Sequence, residues 1–148
     1  MVNYYPPVSF YFNVSFNGIG SKRIDTHFQS VAGLSVEMQT ESVGEGGENR
    51  FEHILPLKTK YSDLSLKRGL FADSDLIQWC FDAFESTIIT PVTLDISMLN
   101  KEGDPLFSWH VVHAWPKKWS VSDLNAEQNA VSIETLVLNY RYFRIGNR

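Results

Sequence analysis

Residues 8–16, VSFYFNVSF, alternate without interruption: Val8, Phe10, Phe12, Val14 and Phe16 fall on one side, Ser9, Tyr11, Asn13 and Ser15 on the other. Successive side chains of an extended chain point to opposite faces, so this run is a strand with one buried face. Asn17-Gly18 follows as a turn, because both residues tolerate the backbone angles that tight turns need.

Working outward, a second β segment is expected over 26–40, where Leu34, Val36 and Met38 alternate with Ser35, Glu37 and Gln39. Gly33 inside that pattern points to a bulge or a close approach of backbone. Residues 41–53, ESVGEGGENRFEH, are rich in glycine and poor in apolar side chains, and read as a long flexible excursion between strands. Another strand is expected at 60–68, with Leu64 and Leu66 inward. A helix is expected over 74–86. Asp73 or Ser74 can cap its start, and Leu76, Ile77, Cys80, Phe81 and Phe84 form one apolar stripe along it.

Pro91 opens the next strand, in which Val92, Leu94, Ile96 and Met98 alternate with Thr93, Asp95 and Ser97. Residues 100–105, NKEGDP, form a turn, and 106–115 return as the hairpin partner. Residues 116–130 read as a loop. A last long strand is expected over 131–143, ending in Tyr140, Tyr142 and Phe143. The chain has no internal repeat and no linker. It is therefore expected to fold over 1–148 as one mainly β domain, a two-sheet β-barrel or sandwich with one flanking α-helix.

Composition narrows the function. A chain of 148 residues with 43% hydrophobic and 14% aromatic residues can fill a core without disulfides or metal staples. Charged residues make up 20%, below the roughly 25% usual for soluble domains, which suggests surface covered by a partner. The net charge of −4 argues against nucleic acid as a partner. Cys80 has no second cysteine to pair with, which fits a reducing compartment or a fold that needs no staple. The opening MVNYYPPVSF has no basic segment followed by an apolar run, and no stretch approaches the roughly 18 apolar residues of a membrane helix. No secretory signal and no membrane anchor are therefore expected, and folding in the cytoplasm is the default.

His110 and His113 look like a metal pair, but three apart on a strand they point to opposite faces, and no cysteine or carboxylate completes the set. The glycines at 44–47 lack the Gly-Lys-Ser/Thr ending of a phosphate loop. Cys80 lies in the helix stripe and reads as an inert buried thiol. Asn13-Val14-Ser15 matches a glycosylation acceptor in mid-strand, a chance match. Trp115-Pro116-Lys117-Lys118-Trp119 could suit single-stranded nucleic acid, but reads better as core tryptophans flanking a solvated turn. No catalytic, metal or cofactor site is expected; two non-assembly readings remain, a small-molecule-binding barrel, which needs polar groups converging on its interior, and a minor enzyme role, which needs a perturbed titratable cluster in a pocket.

One charge pattern survives. Residues 41–53 carry Glu41, Glu45, Glu48 and Glu52 against Arg50, a net of −3 with His53 neutral. Residues 58–68 carry Lys58, Lys60, Lys67 and Arg68 against Asp63, a net of +3. An acidic excursion beside a basic strand can satisfy itself as a solvated hairpin, or mate head-to-tail with the next copy. Head-to-tail contacts close into rings or run on as filaments.

The ordered series Phe10-Tyr11-Phe12, Phe28-Gln29-Ser30-Val31-Ala32-Gly33-Leu34, Leu66-Lys67-Arg68-Gly69-Leu70, Asp75-Leu76-Ile77-Gln78-Trp79 and 109–115 resembles the phage tail tube proteins and their relatives in contractile injection systems. The resemblance runs from Tyr5 to about Ile145. It implies a two-sheet β-barrel with a flanking helix, homo-hexameric rings, and stacking of those rings into a hollow tube inside a sheath. It also implies that the loop after the second strand touches the neighbouring ring, which places Glu48, Asn49 and Arg50 at that contact. Glu45 and Glu52 join them on the acidic side, with Lys58, Lys60, Lys67 and Arg68 as basic counterparts. The run 45–52, EGGENRFE, resembles the paralogous tube initiator, which forms the first rings above spike and baseplate. Tube subunit and initiator share fold and chemistry, and both readings stand.

Overall fold

The computed structural model describes residues 11–19, 27–44, 53–70, 74–124 and 132–146. The first residues of the opening alternation, 8–10, and the capping candidate Asp73 lie outside them. In chain order the elements are β1 (Tyr11–Phe16), β2 (His27–Phe28), β3 (Ser30–Ala32), β4 (Val36–Val43), β5 (His53–Tyr61), β6 (Leu64–Gly69), α1 (Asp75–Ser86), β7 (Val92–Leu99), β8 (Pro105–Val121), β9 (Ile133–Asn139) and β10 (Tyr142–Ile145).

The strands pair in the order β2-β1-β7-β8-β9-β6-β3, with β10 also against β8. The two ends of this order, β2 and β3, are separated only by Gln29, whose N–H donates to the Lys67 carbonyl at 2.8 Å. One short stretch of chain thus closes the sheet on itself. The long strand β8 makes the other corner. Its first part pairs with β7 and β10, and from Trp115 onward it pairs with β9. Bulges in both ladders, one of them at Pro116/Lys118, re-aim it from one sheet to the other. The result is the mainly β, two-sheet barrel with a flanking helix that the alternation predicted.

Period-two burial fills the interior. Val92, Leu94 and Ile96 of β7 face inward, as do Leu64 and Leu66 of β6 and Leu136 and Leu138 of β9. Each such side chain contributes about 1.5–3 kcal/mol by leaving water.

Helix α1 starts where Ser74 caps it. The Ser74 side chain accepts from the Ile77 N–H at 3.2 Å, and Thr87, in the left-handed region at φ 56°, donates its N–H to the Ala83 carbonyl at 3.1 Å. Leu76, Cys80 and Ala83 are buried, and Phe81 packs edge-on against Trp119 at 5.3 Å. Phe84, expected in the buried stripe, is exposed instead. No helix among the described residues is long and apolar enough to cross a membrane.

Five boundaries differ from expectation. The segment expected over 26–40 is three strands, β2, β3 and β4, interrupted at Gln29 and over 33–35. The strand expected over 60–68 is two strands, β5 and β6, broken at Ser62-Asp63. The excursion expected over 41–53 is narrower, because β4 runs to Val43 and β5 begins at His53. The loop expected from 116 begins only after Val121, because the bulge lets β8 carry Pro116 without breaking its ladder. The last strand is likewise two, separated at Tyr140-Arg141.

Candidate assembly surfaces

Among the described residues β4 and β5 pair only with each other, forming a two-stranded sheet apart from the barrel. Eight residues of strand at about 3.3 Å each make β4 an arm of about 26 Å. Register sorts its side chains. Val36↔Tyr61, Met38↔Thr59, Thr40↔Pro56 and Ser42↔Ile54 share one face, while Glu37↔Lys60, Glu41↔Leu55 and Val43↔His53 share the other. The first face is largely apolar, yet Ile54 is 65% and Met38 51% exposed. Leu57, beside the bulge opposite Gln39, is 58% exposed. An isolated two-stranded hairpin is marginal in water. Its stability has to come from its root and from whatever covers that face.

The root is tightly built. Gly33 sits at φ +93°, and a Cβ there would collide with the Asp63 carbonyl oxygen, so the close backbone approach read from the sequence is real. The Ser35 hydroxyl donates to that of Ser62 at 2.8 Å, and the Tyr140 hydroxyl to the Gly33 carbonyl at 3.3 Å. Asp63 accepts from Lys117 Nζ at 2.7 Å and Asn139 Nδ2 at 3.1 Å. The Lys117 hydrogen bond, set against partial burial and aided by Asn139, holds the Asp63 carboxyl below its ordinary range. Tyr61 meets Tyr140 and Phe143 edge-on, with centroids at 5.9 and 5.2 Å. Burial above all, then Tyr61 and Asp63, pushes the Tyr140 hydroxyl up to about 12.

The expected contact residues fall into three groups. Lys58 and Lys60 are exposed on β5 and, with Gln39 and Arg141, border a shallow cleft at the arm's base. Lys67 is exposed on β6. Arg68 is not with them: it is 2% exposed and donates from Nε to Glu134 Oε2 at 2.7 Å. Inward alternation on β6 forces this, since Leu64, Leu66 and Arg68 share one face. Glu45, Glu48, Asn49, Arg50 and Glu52 lie outside the described residues.

The Arg68 pair is the centre of a polar network that the sequence alone did not reveal. Arg68 also donates to the Ser74 hydroxyl at 2.8 Å and lies over the Phe28 ring at 5.1 Å, while Trp119 donates to Glu134 Oε1 at 2.6 Å. The network ties the helix cap to β6, β8 and β9. Glu134 interrupts an otherwise apolar inward series with Leu136 and Leu138, and an inward carboxylate on one strand facing an inward guanidinium on another is the signal that could have paired them.

The other candidates are placed as follows. Cys80 is buried, and burial above all raises its thiol to about 12. His110 Nδ1 meets Asp95 Oδ1 at 2.6 Å; His113 is exposed, in the left-handed region at φ 61°. Trp115 and Trp119 are half-buried around a buried Pro116, and Lys117 is spent on Asp63. Asn13 Oδ1 is buried without a hydrogen-bond partner among the described residues.

Comparison with known proteins gives this barrel and arm a family. The model of the T4-like virus tail tube protein gp19 matches residues 8–144. A chain of the anti-feeding prophage baseplate is 32% identical over 96% of both chains, with a TM-score of 0.80. A chain of the sheath–tube complex of the extracellular contractile injection system PVC, in its extended state, is 22% identical over 97% of this chain and 93% of that one, TM-score 0.76. A chain of the anti-feeding prophage tube-terminating cap is 21% identical, covering 100% and 95%, TM-score 0.75. No curated protein sequence matches. The chain belongs to the T4-like virus tail tube protein family and is a structural, tube-type protein.

Proposed function

We propose that this chain forms homo-hexameric rings that stack into the hollow inner tube of a phage-tail-like contractile injection system. The observation that carries this reading is the β4–β5 arm: a rigidly rooted hairpin whose apolar face is packed at Tyr61 but exposed at Val36, Met38 and Ile54. A neighbouring copy in the same ring supplies cover without leaving an uncapped edge, which is how repeated head-to-tail contacts become closed rings. The sixfold symmetry applied to the anti-feeding prophage baseplate supports the same subunit number. The role is passive. The ring is a conduit that sheath contraction drives through a target envelope, and the particle is assembled in the bacterial cytoplasm before release.

Within that assembly the arm tip touches the adjacent ring. Glu45, Glu48, Asn49, Arg50 and Glu52, which follow β4 and precede β5 in sequence, are assigned to that contact, with the exposed Lys58, Lys60 and Lys67 as the opposite charge. Arg68 has no part in this surface, being buried against Glu134. The tube-initiator post, next to spike and baseplate, is favoured over the repeating tube. Identity to the anti-feeding prophage baseplate chain is 32%, against 22% for the PVC sheath–tube chain. Immunogold labelling of the intact particle tests this: label confined to the baseplate end supports the initiator, and label along the whole tube rejects it.

A further inference from the structure

The outer face shared by β1, β7, β8 and β10 carries a polar row that the ring reading leaves without a task. Register sets Ser15 opposite Asp95, Asp95 opposite His110, and His110 opposite Arg144. Beside that row, Ser97 stands opposite Ser108. Asp95, Ser97, Ser108, His110 and Arg144 line a cleft of about 430 Å³, within the range of small-ligand sites.

The hydrogen-bonding capacity of these groups is unevenly committed. Asp95 Oδ1 is engaged by His110 Nδ1 at 2.6 Å, and its Oδ2 accepts from Asn17 Nδ2 at 3.3 Å. An ionised carboxylate only accepts, so the imidazole proton of that contact sits on Nδ1. Asp95 thus turns its charge toward His110 and Asn17. The Arg144 guanidinium lies 5.5 Å from the Tyr142 ring centroid, and among the described residues no carboxylate pairs with it. The Ser97 and Ser108 hydroxyls likewise make no hydrogen bond among the described residues. What the cleft offers is therefore an exposed cation beside the Tyr142 ring, with two hydroxyls alongside. Planar guanidinium recognises planar carboxylate through paired N–H donors.

We propose that this cleft binds a carboxylate group, with Arg144 as its charged anchor, Ser97 and Ser108 as hydroxyl donors, and His110 held in place by Asp95. The proposal does not depend on the ring reading. Two probes separate the source of the carboxylate: succinate as a free acid, and a capped Glu-Glu dipeptide as an acidic protein side chain. Each is titrated into the purified chain while the backbone amide resonances of Ser97, Ser108 and Gly146 are followed. Saturable shifts are expected with at least one probe, and binding should weaken about tenfold in Arg144→Gln, the loss typical of one charged hydrogen-bonded contact. The exposed variant Lys118→Gln, on the part of β8 that pairs with β9, should bind as the parent does. Succinate binding identifies a free acid, and dipeptide binding alone identifies a protein side chain. Absence of saturable shifts with both probes overturns the proposal, as does unchanged affinity in an Arg144→Gln variant whose amide spectrum shows it folded.

Discussion

Arg68 and Glu134 meet at 2.7 Å on neighbouring strands, each only 2% exposed, in the space between the barrel and the cap of its helix. Their attraction alone does not stabilise the fold greatly, because both charges have left water to form it. Its consequence lies in asymmetry. Either charge left without the other is stranded in an apolar interior.

Removing one partner, as in Arg68→Met or Glu134→Leu, should therefore destabilise the fold by about 3–5 kcal/mol. The double variant should recover much of that loss. Urea denaturation of the four proteins in the cycle measures it, and a double variant as unstable as the sum of the singles would remove the pair from the account.

Gly33→Ala places a Cβ against the Asp63 carbonyl oxygen at a backbone angle that non-glycine residues rarely adopt. Backbone cannot move aside as a side chain can. A loss above about 1 kcal/mol is expected, with the arm's amides losing hydrogen-exchange protection before those of the barrel. A neutral Gly33→Ala would mean that the arm's root is loosely built.

Asp63 gives the root an acid dependence. Its folded carboxyl is held below the ordinary value of 3.8, first by the Lys117 hydrogen bond. A depressed folded value stabilises the fold above the unfolded value, and that contribution is lost as pH falls through the folded one. Lys117→Gln should raise the Asp63 titration toward 3.8, read by carboxyl NMR. An unmoved midpoint would reject the assignment.

Cys80 behaves in the opposite sense. Burial, and secondarily Glu134, lifts its thiol from an ordinary 9.0 to about 12. The neutral thiol's contribution is fully present below the unfolded value and is lost as pH rises through 9.0 toward 12. At pH 8 the native protein should resist iodoacetamide, and urea should make Cys80 reactive. Rapid labelling of the native chain would contradict its burial.

How much of this was legible beforehand follows from what each residue's surroundings require. Alternation in β1 and β7 shows directly in the sequence, because period two needs no knowledge of a partner strand. The helix was equally visible through its Ser74 cap and the Leu76-Cys80 spacing. The continuity of β8 through Pro116 was not, since a bulge depends on β9 opposite and the local Pro-Lys-Lys reads as a turn. Charge counting grouped Arg68 with the surface lysines, although Leu64 and Leu66 at the same parity already marked that face as inward. The split of β5 from β6 at Ser62-Asp63 depends on Gly33 approaching from another strand, a contact no local pattern carries.

The central claim is that the exposed apolar face of the arm is covered by neighbouring copies in a ring. Negative-stain microscopy of the purified chain beside its Met38→Asp/Ile54→Asp variant tests it most directly. Both positions are exposed within the subunit, so the variant should stay folded, with the parent's far-UV circular dichroism, while losing the stability that assembly adds. The account predicts sixfold annular particles and stacks for the parent chain and dispersed single subunits for the variant. Parent protein that stays monomeric at high concentration, or rings that persist in the folded variant, would contradict it.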